Sequence, residues 1–428
     1  VRVLVVGGGG REHALLWALK RDGLATALFA APGNPGTALL GTNLTVPATA
    51  IDDLVQAAAQ QKIDLVIVGP EAPLAAGLAD RLRATGRAVF GPGAGAARIE
   101  ASKAYAKDLM VRAGVPTAAS GTFTALRPAL KYIEAGKEPV VVKASGLAGG
   151  KGAIVCASKD DASQAARALL DDGALGEAGK EIVIEEFLEG EELSVLALTD
   201  GERIMILPPA QDHKRLREGD EGPNTGGMGA YTPVGLTTAA LLARVRREVL
   251  EPTLRQLAAD GAPYSGVLYA GLMVAPDGTP NVLEFNCRFG DPETQALFPA
   301  LPEGSTAHLA AIATGGWRPD RDVLEPAQAA VTTVLAAAGY PERPQLGVTI
   351  TLPADWSDGQ LLFHAGTTRA ADGRLQVSGG RVLNVTGVGP TIADAQALSR
   401  AAAERVTFAG MQWRRDIAWR EIARAGAA

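Results

Sequence analysis

Over the first hundred residues, short apolar runs alternate with longer segments whose apolar positions recur at helical spacing. Val3 to Val6 reads as a buried strand and Glu12 to Arg21 as an amphipathic helix, with Gly7 to Gly10 between them. Ala27 to Ala30 is a second strand ending in the turn-rich APGNPG, and Asp53 to Gln61 a second helix. Asp64 to Val68 is a β-branched strand ending in GPEAP, Leu74 to Thr85 a helix, and Ala88 to Phe90 a further strand. Strands alternating with helices of this length predict a parallel, doubly wound sheet. Each strand ends in a Gly- or Pro-rich loop, at the edge where open α/β sheets place their ligands.

GPGAGAA (Gly91 to Ala97) reads as a linker. Ser102 then starts a helix with Lys103 and Lys107 one turn apart on one face. Between Phe123 and Leu188 the pattern is a small α/β unit: helix, strand PVVVKAS, Gly-rich turn, strand GAIVCA, helix, strand EIVIEEFL. Ser194 to Leu207 gives strands and Leu241 to Ala259 a helix. Tyr264 to Val274 and Asn281 to Asn286 form a hairpin across PDGTP, whose Pro and Gly supply the turn chemistry. From about Ala327 the tail carries the short strands AAVTTVL, GVTITL, LLFHAG and RVLNVTG and a helix from Ile392 to Thr407, which reads as a separate α+β domain.

Composition adds bounds. A length of 428 residues allows about three domains, and 47% apolar with 21% charged residues describes an ordinary globular protein. The net charge of −6 gives no footprint for nucleic acid or an anionic membrane. Cys156 and Cys287 make neither a disulfide framework nor a metal-ligand spacing and read as buried thiols. VRVLVVG lacks the charged flank and apolar core of a signal peptide. No apolar stretch reaches membrane-spanning length, so a cytoplasmic location is expected by exclusion.

The densest chemistry lies in LEFNCRFGDPETQ, Leu283 to Gln295. Glu284 and Asn286, two apart on a strand, share a face and offer the hard oxygens that a divalent cation bridging nucleotide phosphates requires. Arg288 continues that face and is suited to a phosphate or carboxylate. Elsewhere GGGGREHA (Gly7 to Ala14) opens a helix after a strand, as a phosphate- or sugar-binding turn does. His13 stands where a dinucleotide-binding turn has its packing glycine. In VVKASGLAGGKG (Val141 to Gly152), Lys143 on a strand and Lys151 after a glycine loop are arranged to grip phosphates, or the segment is a plain hairpin turn.

IEEFLEGEELS (Ile184 to Ser194) suits an adenine edge and a ribose, or is a solvated acidic loop. QDHKR (Gln211 to Arg215) and GPNTGGMGAYTP (Gly222 to Pro233) are too rich in glycine and hydrogen-bonding side chains for a passive loop. His213 in such a loop is more often a hydrogen-bonding residue than an acid or base. Protease triads and zinc motifs are missing from the sequence.

Taken in order, GGGGREHAL, APGNPGTA, VGPEAPL, VVKASGLAGGKG, IEEFLEGEELS, QDHKR, GPNTGGMGAY, LYAGLM and EFNCRFGDPETQ resemble the phosphoribosylamine–glycine ligase (glycinamide ribonucleotide synthetase) family, ATP-grasp enzymes of purine synthesis. The tail motifs FHAGT, SGGRVLNVT and RRDIAWRE extend the resemblance almost end to end. It implies a Rossmann-like substrate domain (1–101), an ATP-grasp centre (102–120 and 190–326), a small mobile lid (121–189) and a carboxyl-terminal α+β domain (327–428). It also implies ATP with Mg²⁺ or Mn²⁺, small-molecule substrates (glycine and 5-phosphoribosylamine), no nucleic-acid or membrane partner, and a monomer.

Carried over by position, Glu284 and Asn286 look like metal ligands, and Lys103, Lys143 and Lys151 like phosphate contacts. Glu185, Glu186 and Leu188 look like the adenine-side hinge and Glu192 like the ribose contact. Gly9, Gly10, Asn34, Pro35 and Glu71 line the ribosylamine side, with Arg288, Asp212 and Lys214 as catalytic groups. Ser145 stands where the family usually has Asp, and Gly149 where it has Ala, which implies a looser lid turn. The strand Leu268 to Val274 has no carboxylate for a second ion. The rival readings are another ATP-grasp carboxylate–amine ligase or carboxylase, a nucleotide-binding oxidoreductase, and a catalytically silent ATP-binding regulator.

Overall fold

Val3, Val5 and Leu4, Val6 point alternately into two different hydrophobic clusters, which is why the run that carries them is apolar on both faces. Their strand, Arg2–Gly7, is the middle of a five-stranded parallel sheet in a computed structural model that describes residues 1–149 and 152–427. The order across that sheet is Thr42–Asn43, Ala27–Pro32, Arg2–Gly7, Leu65–Val68, Ala88–Phe90. The strand order reverses beside Arg2–Gly7, so the loops at Gly7–Gly10, Gly33–Pro35 and Gly69–Glu71 gather on one edge. Gly33 N–H donates to Gly7 O at 3.1 Å and Gly69 N–H to Val6 O at 3.0 Å.

Two expectations in this region change. The helix expected over Leu74 to Thr85 is two helices, Glu71–Ala75 and Leu78–Ala84, parted at Gly77 with φ +84°. The expected linker Gly91 to Ala97 runs into a helix, Ala94–Ala101, whose first N–H is taken by the Asp80 carboxylate at 2.8 Å.

The next helix, Lys103–Ala113, starts at Ser102, whose hydroxyl accepts from Tyr105 N–H at 3.1 Å. A small antiparallel sheet follows, ordered Ser120–Phe123, Ile182–Glu186, Val140–Ala144, Ala153–Cys156. Its helices Leu126–Ala135 and Lys159–Leu170 pack over Val142, Ala144, Ile182 and Ile184 as a core of their own. Strand alternation therefore turns Lys143 and Glu185 to the opposite face. A second antiparallel sheet holds Ile204–Ile206, Glu191–Thr199, Gly266–Val274 and Pro280–Asn286, the last two being the expected hairpin.

The tail is less separate than its sequence reads. Its strands Ala329–Ala336, Arg381–Gly389 and Gln360–His364 continue through Gly229–Thr232 to Gln211–Asp212, so one sheet joins the tail to the QDHKR and GGMGAY segments. The helix Ile392–Glu404 buries Ala402 and Ala403 against Leu335 and Val385 on this sheet. GVTITL forms isolated bridges, Thr349 with Gln376 and Thr351 with Thr407, in place of a strand.

Candidate active site

Glu284 and Asn286 close the strand Pro280–Asn286, opposite Gly271 and Tyr269 of its partner. Burial pushes the Glu284 carboxyl up, but Lys214, Lys103, Lys143 and Arg288 together outweigh it and hold its pKa below the usual value. Asn286 Oδ1 accepts one hydrogen bond, from Arg288 Nη2 at 3.0 Å, and keeps a lone pair. Among the described residues there is no group of three His, Cys, Asp or Glu that suits a metal. A carboxylate and a carboxamide oxygen on one strand face are the hard donors that an oxygen-seeking divalent cation would take.

Lys143 Nζ lies 2.9 Å from Glu185 Oε2 and donates to Leu283 O at 3.0 Å, which ties the small sheet to the residue before Glu284. Lys103 heads its helix with a pKa lowered by burial, against the pull of Glu284 and with the push of Lys143. Ser145 belongs to this junction. Its hydroxyl accepts from Ala104 N–H at 3.1 Å and donates to Glu181 Oε2 at 2.9 Å, and its carbonyl accepts from Lys103 N–H at 2.8 Å. The serine therefore fastens the start of the Lys103 helix to the small sheet. Lys151 lies outside the described residues.

Arg288 binds two carboxylates from the amino-terminal side. Nη2 is 2.8 Å from Glu100 Oε1 and Nε 3.4 Å from Glu71 Oε2. Burial pushes the Glu71 carboxyl up, but Arg288 and then Arg11 bring it below the usual range. Glu100 is raised by burial against Arg288, and its second oxygen takes Cys287 N–H at 2.7 Å. Arg288 Nε is buried and makes no hydrogen bond among the described residues.

Asp212 and Lys214 occupy the rim on the QDHKR segment. Lys214 pairs with Glu192, and Glu192, Asp212 and Glu284 hold its ammonium charged against burial. Burial pushes the Asp212 carboxyl up to about 7, opposed by Lys214 and assisted by Glu293 and Glu192. Glu293 is fully enclosed and takes Tyr269 O–H at 2.5 Å. The GPNTGGMG segment folds back on Lys214: Thr225 N–H and O–H donate to Lys214 O at 2.7 and 2.8 Å. Gly226 N–H donates to Tyr340 O–H at 3.0 Å, and Arg381 Nη1 donates to Gly226 O and, at 2.7 Å, to Asp291 O. His213 faces away, its Nε2 accepting from Ala418 N–H at 2.9 Å, so it anchors the tail and moves no proton in the site.

The glycine loop reaches the same region. A side chain on Gly9 would sit 3.5 Å from Asp291 Oδ2, and one on Gly10 would strike the buried carboxamides of Asn384 and Gln295. Asn34 is occupied: Oδ1 accepts from Gly36 and Thr37 N–H, and Nδ2 donates to Gly8 O and His364 O. It shapes the loop, and Pro35 follows it half-buried. At the other end, Glu185 is buried beside Lys143, whereas the Glu186 carboxylate turns outward and takes Ala119 N–H at 2.9 Å. Leu188 is half-buried in the turn between Ile182–Glu186 and Glu191–Thr199.

Lys103, Lys143, Lys214, Glu284, Asn286 and Arg288 are thus brought together. Glu71 joins through Arg288, while Asp212 and Glu192 join through Lys214. Sequence reasoning missed Glu100; it placed Lys107 on the face of Lys103 without giving it a role, and Arg381 lay unassigned in the SGGRVLNVT motif. Arg11 and Asp291 lay inside recognised motifs, which was the signal available for them.

Comparison with known proteins places these motifs in context. Residues 1–100 match the model of the phosphoribosylglycinamide synthetase N domain, 101–294 its ATP-grasp (A) domain and 330–420 its C domain. The chain is 45% identical over 427 residues to phosphoribosylamine–glycine ligase of Vibrio cholerae, covering 99% of each chain. It is 46% identical over 431 residues to the protein of that name from Agrobacterium fabrum, again covering 99% of each. The crystal structure of the Thermotoga maritima protein of that name superposes with a TM-score of 0.85 at 37% identity, covering 97% of this chain and 100% of that one. The biotin carboxylase domain of Hydrogenobacter thermophilus 2-oxoglutarate carboxylase, in complex with MgADP, shares the fold at 18% identity and a TM-score of 0.73, covering 96% and 91%.

Proposed function

Since the chain belongs to the phosphoribosylglycinamide synthetase family of ATP-grasp ligases, we propose that it joins glycine to 5-phosphoribosylamine using ATP, and releases glycinamide ribonucleotide, ADP and phosphate. One observation carries the reading at residue level: a carboxylate–carboxamide pair at a strand end, with three lysines and an arginine drawn around the carboxylate. That is the charge pattern for a triphosphate with a divalent ion. Residues 1–101 serve the ribosylamine, 102–120 with 190–326 form the ATP-grasp centre, 121–189 the lid and 327–428 the closing domain.

The glycine carboxylate oxygen attacks the γ-phosphorus and ADP leaves, which turns a poor leaving oxygen into phosphate. The ribosylamine nitrogen then attacks the glycyl carbonyl carbon, phosphate departs and the nitrogen loses a proton. Lys103, Lys143 and Lys151 hold the phosphates, Glu185, Glu186 and Leu188 the adenine, and Glu192 the ribose. Glu284 and Asn286 hold Mg²⁺ or Mn²⁺, which neutralises and orients the phosphates when bound. Arg288, held in place by Glu71 and Glu100, supplies a fixed positive charge for the transferred phosphoryl group. Asp212, with its raised pKa, accepts the amine proton near neutral pH while Lys214 holds the glycine side. Gly9, Gly10 and Glu71 face the ribosylamine, in a loop that Asn34 and Pro35 shape.

Glycine labelled with ¹⁸O in its carboxylate tests this route. Released phosphate carrying one ¹⁸O atom is expected; unlabelled phosphate from a reaction that still makes glycinamide ribonucleotide would exclude the acyl phosphate.

A further inference from the structure

Lys107 has no part in the chemistry above, yet it is one of the most enclosed charges in the protein, 5% exposed. Its Nζ donates to Thr117 Oγ1 at 2.6 Å and lies 3.4 Å from Ala118 O and 3.3 Å from Glu185 Oε1. Thr117 O–H in turn donates to Val282 O at 2.7 Å, two residues before Glu284. The other Glu185 oxygen lies 2.9 Å from Lys143 Nζ. One buried carboxylate is therefore shared by two buried ammonium groups. Three oxygens from the central domain and the small sheet fix Lys107, whereas Lys143 rests on Glu185 and a single carbonyl.

The asymmetry says which lysine moves. A buried carboxylate left without a cation is strongly unfavourable. Lys143 can swing from Glu185 to a phosphate only if another cation stays on Glu185. We propose that Lys107 is a positioning residue: it keeps Glu185 paired and so frees Lys143 for the phosphates of the nucleotide. The inference rests on the reading of Lys143 as a phosphate contact. Without Lys107, Lys143 is the one ammonium group left within 4 Å of Glu185 among the described residues, and Glu185 retains it. Nucleotide affinity then falls through the phosphates, with the nucleoside unaffected.

Calorimetric titration with ATP and with adenosine tests this on the whole protein. Lys107→Met is expected to weaken ATP by roughly tenfold or more, to leave adenosine within about twofold, and to be restored by Lys107→Arg. Equal weakening of ATP and adenosine, or no change in ATP, would overturn it. Should Lys107→Met fail to fold, Glu185→Gln is compared with Lys107→Met/Glu185→Gln. The two are expected to bind ATP alike, because a neutral carboxamide needs no counter-ion, and a further large loss in the double variant would contradict the proposal. A wild-type protein that binds adenosine but gains nothing from the phosphates would instead remove the underlying assignment of Lys143.

Discussion

Glu71, at the head of a helix after the fourth strand of the parallel sheet, lies 3.4 Å from Arg288, just past the strand that ends in Glu284 and Asn286. Glu100 holds the same guanidinium at 2.8 Å, so the amino-terminal domain fixes an arginine that serves the central one. The buried Glu100 and the half-buried Glu71 hold the fork from two sides and preorganise it. Arg288→Ala should therefore lower kcat by about two orders of magnitude, one preorganised donor being worth about 3 kcal/mol, with little change in KM for ATP. Arg288→Lys should not restore it, because a point charge cannot span Glu71, Glu100 and Asn286 together. Steady-state kinetics check this, and an undiminished kcat in Arg288→Ala would remove the residue from the transfer step.

Asp212 predicts a pH limb. Its carboxyl titrates near 7 because burial, Glu293 and Glu192 outweigh Lys214, and only the ionised form accepts a proton. Activity should fall as pH drops below about 7. Asp212→Asn should lose most activity together with that limb. A variant with the wild-type profile would assign the limb to another group.

His13 and His364 predict acid sensitivity at the joint between the amino-terminal sheet and the tail. His13 Nδ1 accepts from His364 N–H at 2.8 Å. Burial and then His364 push His13 down to about 3, and burial and then Arg369 push His364 down to about 4. Unfolded histidine takes up its proton near 6.5, so the unfolded chain binds more protons below that pH. The stability that this joint contributes is complete above about 6.5 and is lost progressively as pH falls towards 4 and then 3. The urea midpoint should decline over that range more steeply in the wild type than in His13→Asn, which keeps an acceptor but does not titrate. Equal slopes would show that His13 is not part of the acid response.

Ser145 predicts a local coupling. Ser145→Ala removes its bonds to Ala104 and Glu181 and should cost about 1 kcal/mol. Ser145→Asp should cost more, because it sets a second carboxylate against Glu181. Denaturant unfolding measures both, and a fully stable Ser145→Asp would mean that Glu181 does not contact this position.

The legible parts of the sequence were those in which pattern and position coincide. The parallel sheet follows from continuous apolar runs such as Val3 to Val6 alternating with helical segments, and the Glu284–Asn286 face from period-two spacing next to a turn. Long-range partners left no such trace. Glu100 meets Arg288, and Arg381 meets Gly226 and Asp291, across wide separations that no local period records. The strands Gln211–Asp212 and Gly229–Thr232 join the tail's sheet for the same reason. Asn34 was expected on the ribosylamine side and His213 as a hydrogen-bonding residue, but which way they point is set by Gly8, His364 and Ala418. GVTITL alternates as a strand does because one face, at Ile350, is buried, yet the ladder partners on either side are single bridges.

The central claim meets its most direct test in ADP release with ATP, Mg²⁺ and glycine, with and without 5-phosphoribosylamine formed in situ from ribose 5-phosphate and ammonia. The account predicts ADP release only when both partners are present, glycinamide ribonucleotide detected by mass, and loss of both signals in a folded Glu284→Gln variant. A folded wild-type protein that binds ATP yet releases no ADP with both partners present would contradict it.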